Sequence, residues 1–208
     1  MNKQSGAVLV LSGPSGAGKT SLIKNIADDI GDFYFSISTT TRPMREGEQE
    51  GVHYHFVNEE EFKKDIEADN FLEYAVVHGN HYGTSLKPVR EALSAGKLVL
   101  FDIDVQGNTA INSRLGDITT SVFITPPTLS ELKKRLQNRS TDSEEVMKGR
   151  LKMAKLEIQR ISEYDYVIIN DDFEESSEIL KLIAKAARMK IPSEDINCFI
   201  QEWEDIEQ

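Results

Sequence analysis

The 208-residue chain has a single cysteine, Cys198, so no disulfide can form within it and a packed core must hold the fold. That scarcity fits a reducing compartment. Cations are short as well: 24 Lys and Arg stand against 35 Asp and Glu, a formal net charge of −11. Nucleic-acid binders carry a basic face, which sets nucleic acid aside as a partner. Any phosphorylated ligand would have to be met by cations gathered locally. Long apolar runs are missing too. Near the N-terminus only Ala7 to Leu11 is continuously apolar before Ser12-Gly13-Pro14, too short for a signal segment or a membrane span. A cytoplasmic protein without membrane association is expected. The chain also lacks internal repeats and low-complexity tracts.

The length suits one well-buried α/β core and falls short of two ordinary domains. Ala7-Val8-Leu9-Val10-Leu11 reads as a strand buried on both faces of a parallel sheet. Leu22, Ile23, Ile26, Ala27 and Ile30 then recur on one helical face, closed by Gly31. Phe33 to Ile37 predicts a strand, and 38–51 a polar loop. Val52 to Val57 and Phe71 to Val77 read as strands. Between them Asn58 caps a short acidic helix carrying Phe62 and Ile66, and His78-Gly79-Asn80 reads as a hairpin turn. Further strands are expected at Lys97 to Phe101, Ser121 to Ile124 and Tyr166 to Ile169. Helices are expected from Thr128, with Glu131 completing a capping box, from Ser143 to Ile161, and from Phe173 to Lys190. The acidic tail from Ile191, with Phe199, Ile200 and Trp203, reads either as a last docked helix or as a partly ordered appendix.

Gly13-Pro14-Ser15-Gly16-Ala17-Gly18-Lys19-Thr20 matches G-x-x-x-x-G-K-[ST] at every fixed position and lies between a buried strand and a helix, as the mechanism requires. Glycines let backbone N–H groups turn inward around phosphate oxygens, and the helix directs its positive end at them. Lys19 can bridge the β and γ phosphates of a nucleoside triphosphate, and the Thr20 hydroxyl can hold Mg²⁺. An acidic residue ending an apolar strand is the second part such sites use. Asp102 supplies it, followed by Asp104, and one of the two is expected to reach the Mg²⁺ shell through water. Asp104-Val105-Gln106-Gly107 also fits D-x-x-G, but no N/T-K-x-D segment accompanies it, which disfavours a GTPase switch.

The segment Ser36 to Glu48 places Arg42 and Arg45 among several hydroxyls on one loop. It is followed by Gly51-Val52-His53-Tyr54-His55-Phe56, Phe71-Leu72-Glu73-Tyr74 and Gly79-Asn80-His81-Tyr82-Gly83-Thr84. With these ordered segments the chain resembles the guanylate kinase family over roughly residues 5–190. Physical chemistry agrees with a GMP acceptor site. Guanidiniums such as Arg42 and Arg45 grip a phosphate bidentately, and Tyr54 and Tyr82 can complete the cage. Glu73 can accept the adjacent N1–H and N2–H₂ donors of guanine, whereas adenine turns an acceptor toward it. Ser38 and Thr84 can address the rest of the guanine edge, and the resemblance assigns GMP contacts to all these positions. Asp102 or Asp104 is also expected near the acceptor. His53 and His55 lack a third clustered ligand and read as structural or surface residues.

The resemblance further implies a mobile lid whose arginines reach the phosphates, with Arg139 and Arg150 at the matching positions, acting as fingers supplied in cis. Arg135 could assist them, but reads first as an exposed helical charge. Asn170 and Asp171 match a segment beside the donor adenine. The expected architecture is a P-loop NTPase-type parallel sheet flanked by helices, in one domain spanning 1–208. Its core would take about 5–36, 86–125 and 162–190, a strand-rich GMP-binding insertion about 37–85, a lid about 126–161 and a tail 191–208. The expected reaction is Mg²⁺-dependent phosphoryl transfer from ATP to GMP. The competing readings are a kinase for another nucleoside monophosphate and a catalytically silent interaction module. The tail could pack on the core or mediate self-association as a homodimer.

Overall fold

The computed structural model describes residues 6–77, 79–138 and 144–204. In chain order it runs β1 (Ala7–Ser12), α1 (Lys19–Ile26), β2 (Phe33–Phe35), β3 (Thr39–Thr40), β4 (His55–Phe56), α2 (Glu59–Glu67), β5 (Phe71–Val77) and β6 (Asn80–Ser85). It continues through α3 (Leu86–Ser94), β7 (Leu98–Asp102), α4 (Val105–Leu115), β8 (Thr119–Thr125), α5 (Leu129–Asn138), α6 (Glu144–Glu157), β9 (Tyr166–Ile169), α7 (Phe173–Ala187) and α8 (Ser193–Glu204).

Two sheets result. A five-stranded parallel sheet has the order β2-β7-β1-β8-β9. Its central strand β1 is buried on both faces, which is why its sequence is apolar without alternation. Leu9 and Leu11 point into a core shared with α1 and α7, including Leu22, Ile26, Leu180 and Ala184. Val8 and Val10 point the other way, against Val89, Ile111 and Phe101. Each fully buried Leu or Val of this strand contributes about 1.5–3 kcal/mol of transfer free energy, so the strand that leads into the glycine-rich loop is firmly anchored.

The second sheet, β4-β3-β6-β5, takes its strands from residues 39–85. β5 and β6 form the hairpin and pair Glu73 with Thr84. α2 begins with the full capping box: Asn58 accepts from the Glu61 N–H and Glu61 accepts from the Asn58 N–H. It lays Phe62 against Phe71, ring centroids 4.4 Å apart.

Several elements differ from the sequence expectation. The strand expected from Val52 shrinks to His55–Phe56, because Gly51 adopts φ 70° and its N–H closes a turn on the Tyr54 carbonyl. Inside the expected loop, Thr39 and Thr40 form a buried two-residue strand, with a partner on each side. α1 ends at Ile26, before Gly31, although Ile30 is still buried. α6 ends at Glu157 and tightens into a 3₁₀ turn, Ile158–Glu163. His78 of the hairpin turn lies outside the described residues. The tail forms a helix, α8.

Candidate active site

The loop between β1 and α1 has the shape that its glycines allow. Gly13 sits at φ 133°, and a Cβ there would fall 1.9 Å from the Ile124 carbonyl oxygen. Gly18 sits at φ 98°, and a Cβ would fall 2.4 Å from the Asn170 amide nitrogen. No side-chain hydrogen bond caps α1 at Gly18; the Ser21 N–H turns back on the Gly18 carbonyl at 3.1 Å, and the start of the helix directs its dipole toward an anion. Lys19 folds over the loop, Nζ donating to the Gly13 carbonyl at 2.5 Å and standing 3.6 Å from Asp102 Oδ1. Thr20 Oγ1 donates to Asp102 Oδ2 at 3.5 Å. Burial pushes the Asp102 carboxyl above its ordinary value, against the opposing pull of Lys19 and Thr20. A cleft of about 300 Å³ opens here, lined by the loop from Gly13 to Thr20, which includes Pro14, Ser15, Gly16 and Ala17, and by Asp102, Ile103 and Asp104.

The two candidate carboxylates are thereby separated. Asp102 faces Thr20 and Lys19. Asp104 caps α4, its Oδ1 accepting from the Gln106 and Gly107 N–H groups; this is the physical content of the D-x-x-G match. Asp104 also raises the pKa of both Glu73 and Glu157, which puts its charge within reach of the insertion on one side and of α6 on the other.

Of the two arginines expected in a lid, Arg150 on α6 reaches the loop between β1 and α1, donating to Ser15 Oγ at 3.3 Å. Arg139 lies outside the described residues.

The segment after β9, expected beside the donor adenine, also supports the loop between β1 and α1. Asn170 is 4% exposed and donates to the Ala17 carbonyl at 2.8 Å, so it buttresses the phosphate loop from below. Asp171 lines a second cleft of about 340 Å³ with Gly16, Gly18, Ser21, Arg135 and Phe173. Arg135, expected as an exposed charge, is half-buried in this cleft wall, its Nε 3.1 Å from Glu131 Oε1. The correction has a simple cause: α5 packs Leu132 and Leu136 against the loop at Gly16, which turns its neighbouring face inward.

In the insertion, Arg42 is 9% exposed and lies over the rings of Tyr54 and Phe56, at 5.3 and 5.7 Å. Tyr54 and Tyr82 meet edge to face at 5.9 Å. Arg42 donates to Glu48 Oε1 at 2.7 Å, while the Arg45 N–H donates to Glu48 Oε2 at 2.8 Å. Glu48 therefore shapes the arginine loop, and the Arg45 side chain projects from it, exposed. The Arg42 guanidinium holds the Glu48 carboxyl below its ordinary value. On the neighbouring strands Thr84 Oγ1 donates to Glu73 Oε1 at 2.7 Å. Burial pushes Glu73 up, the Thr84 bond pulls it down, and Asp104 adds a smaller upward push. Ser38 precedes β3, where continuing the β3–β6 register by one residue sets it opposite Thr84.

Sequence reasoning missed Glu48 as an organiser and missed Glu157. Among the described residues, the latter's buried Oε2 has no hydrogen-bond partner, and its carboxyl is pushed up by burial while Lys19 pulls it down. One signal was available for it: Glu157 lies three residues after Ala154, on the face that α6 buries.

With this geometry in hand, comparison with known proteins is specific. The family model for guanylate kinase matches residues 5–187. A guanylate kinase of Sulfurimonas denitrificans is 69% identical over 206 residues, 99% of this chain and all of that protein. One from Wolinella succinogenes is 50% identical over 207 residues, all of this chain and 96% of that protein. Among solved structures, the crystal structure of guanylate kinase from Anaplasma phagocytophilum superposes with a TM-score of 0.70 at 36% identity, over 90% of this chain and 89% of that one.

Proposed function

The chain belongs to the guanylate kinase family, and we propose that its residues divide that family's reaction between a donor loop and an acceptor insertion. The protein is an enzyme that transfers the γ-phosphoryl group of ATP to GMP, giving ADP and GDP. In the proposed division, the backbone of Gly13 to Thr20 cradles the ATP phosphates and Lys19 leaves the Gly13 carbonyl to neutralise charge on the β and γ groups. Arg45 and the lid arginines Arg139 and Arg150 meet the transferred group from the other side. Asn170 and Asp171, with Arg135, flank the adenosine. The observation that carries the donor half is the uncapped N-terminus of α1, with Lys19 poised over it.

On the acceptor side Arg42, Arg45, Tyr54 and Tyr82 hold the GMP phosphate. Glu73, Ser38 and Thr84 read guanine, with Asp104 between the two nucleotides. Glu73 carries the choice of base: a buried carboxylate needs donors, and guanine offers two side by side. A general base is unnecessary, because the attacking phosphate oxygen of GMP is already anionic.

Thr20 and Asp102 present hard oxygen donors 3.5 Å apart beside the phosphate cradle, a set that suits Mg²⁺. Thr20 would hold the ion directly and Asp102 through water. When bound it supplies charge neutralisation across the β and γ phosphates. Closure of α5 and α6 over the loop would exclude water as a competing acceptor. We take the chain as one domain with the core, insertion, lid and tail limits given above. We place it in the cytoplasm, in keeping with its single cysteine, and read it as a homodimer. No helix among the described residues is long and apolar enough to cross a membrane.

The test is ADP formation from ATP against a panel of nucleoside monophosphates, with and without Mg²⁺. GMP should be the preferred acceptor and Mg²⁺ should be required. Equal use of AMP would overturn the reading of Glu73, and full activity without a divalent cation would overturn that of Thr20 and Asp102.

A further inference from the structure

We propose that Glu48 is a positioning residue for the GMP phosphate: one carboxylate, bonded to the Arg42 side chain and to the Arg45 backbone, sets the two acceptor arginines in place before the nucleotide arrives. The inference rests on the reading of Arg42 and Arg45 as phosphate ligands. It adds a residue that acts through them and does not itself touch the substrate.

Arg42 is 9% exposed, and a guanidinium so far from water needs a counter-anion and hydrogen-bond acceptors. Glu48 supplies the anion, its Oε1 accepting from Arg42 Nη2 at 2.7 Å. The Pro43 carbonyl accepts from Nη1 at 2.7 Å, and the rings of Tyr54 and Phe56 lie beneath the same guanidinium at 5.3 and 5.7 Å. On the main chain, the Arg42 N–H donates to Thr40 Oγ1 at 3.1 Å. A carboxylate, a carbonyl and two rings thus fix the head group in one orientation.

The same carboxylate reaches Arg45 through the main chain. Its Oε2 accepts from the Arg45 N–H at 2.8 Å, and the Glu48 N–H donates to the Arg45 carbonyl at 3.1 Å. These two bonds close the turn Arg45-Glu46-Gly47-Glu48 from both sides. Gly47 permits the turn at φ 83°, a left-handed conformation that glycine adopts without steric cost. A flexible loop and a long side chain would otherwise have to be ordered as the phosphate binds. Here part of that ordering is complete beforehand, which favours binding.

A carboxylate beside a phosphate site could instead act by repelling the dianion. The geometry favours positioning, because both Glu48 oxygens already accept from donors and one of those donors is the Arg42 guanidinium itself. The two senses predict opposite changes in GMP affinity when the carboxylate is removed. Glu46 separates field from geometry: it carries the same charge on the same turn and is exposed.

The experiment measures kcat and the KM values for GMP and ATP in the full chain for Glu48→Ala, Glu48→Gln, Glu46→Gln and Arg42→Gln. Beside them it measures the inhibition constant of guanosine, which carries the base without the phosphate. Glu48→Ala should raise the KM for GMP roughly tenfold. Its kcat at saturating GMP, its KM for ATP and its guanosine constant should stay within about twofold of the parent. Glu48→Gln keeps the shape and an acceptor oxygen and should give a smaller rise; Glu46→Gln should give none. In an Arg42→Gln background Glu48→Ala should have a smaller effect than in the parent, because part of its action passes through that side chain; fully additive effects would contradict the coupling. A lower KM for GMP in Glu48→Ala would mean that the carboxylate repels phosphate, and would overturn the proposal. Guanosine and GMP weakened equally in both Glu48 variants would also overturn it, since the insertion as a whole would then have been disturbed. A parental KM for GMP in Glu48→Ala, with a raised one in Arg42→Gln, would remove Glu48 and leave the phosphate reading standing. Parental GMP kinetics in Arg42→Gln would overturn that reading itself.

Discussion

In the proposed division, the donor loop and the acceptor insertion both meet phosphate, and they do it by different means. The loop uses backbone: N–H groups at the uncapped start of α1, fixed by β1 below and by Asn170 against Ala17. Its shape follows from glycines that no other residue could replace without collision. The insertion uses side chains: Arg42 over two aromatic rings, with Glu48 setting the arginine loop and Glu73 meeting Thr84. A backbone cradle suits a group common to every nucleotide, while side chains can choose among bases. The contrast predicts that damage to the loop abolishes chemistry for any acceptor, whereas damage to the insertion changes which acceptor is used.

The largest test is Lys19→Met. Loss of its charge at the transferred group should lower kcat on the order of 10³-fold, for GMP and for any weaker acceptor alike, with an unchanged circular dichroism spectrum. A loss confined to GMP would erase the distinction between the two regions.

Glu73→Gln should follow, lowering kcat/KM for GMP on the order of 100-fold with the KM for ATP little changed. The same substitution should raise the melting temperature at neutral pH. Burial raises the pKa of Glu73 in the folded state. The stability it contributes is therefore full below the unfolded value and is lost as pH rises through the raised one. A neutral amide avoids that loss, so a lower melting temperature would contradict the burial argument.

Asn170→Ala should cost about 1–3 kcal/mol of stability, by leaving the Ala17 carbonyl without its buried donor. It should also weaken ATP about tenfold, to be read by thermal denaturation with and without nucleotide. GMP binding should be spared.

The smallest effect is in pH. If Glu73 reads guanine as proposed, GMP binding needs it ionised, and its raised pKa means that protonation begins at a higher pH than for an ordinary glutamate. The KM for GMP should climb on acidification before the KM for ATP does, and the difference should vanish in Glu73→Gln.

How much of this the sequence reveals differs between the two regions, for the same reason. A backbone cradle forces its glycines, lysine and threonine into fixed spacing, so the loop from Gly13 to Thr20 and its flanking strand and helix are legible in one stretch. The insertion is assembled from β3 to β6, and its pairings depend on register that no single segment encodes. The Thr39–Thr40 strand sits inside a polar stretch, and Gly51 unmakes the strand expected at Val52. Only the ordered recurrence of the segments across the family made Arg42, Tyr54, Glu73 and Tyr82 readable together. Asp102 and Asp104 could not be told apart in sequence, because capping and facing Thr20 are three-dimensional facts. Glu48 and Glu157 escaped, and the burial of Arg135 was misjudged, for a related reason: a charged residue's solvent exposure is decided by what packs over it.

The central claim is that guanine is chosen at Glu73 independently of the donor loop. Its most direct test is calorimetric titration of the Glu73→Gln protein with GMP and, separately, with ATP. The account predicts that GMP binding falls steeply while ATP binding matches the parent protein. GMP bound as tightly as before, or ATP and GMP weakened together, would contradict it.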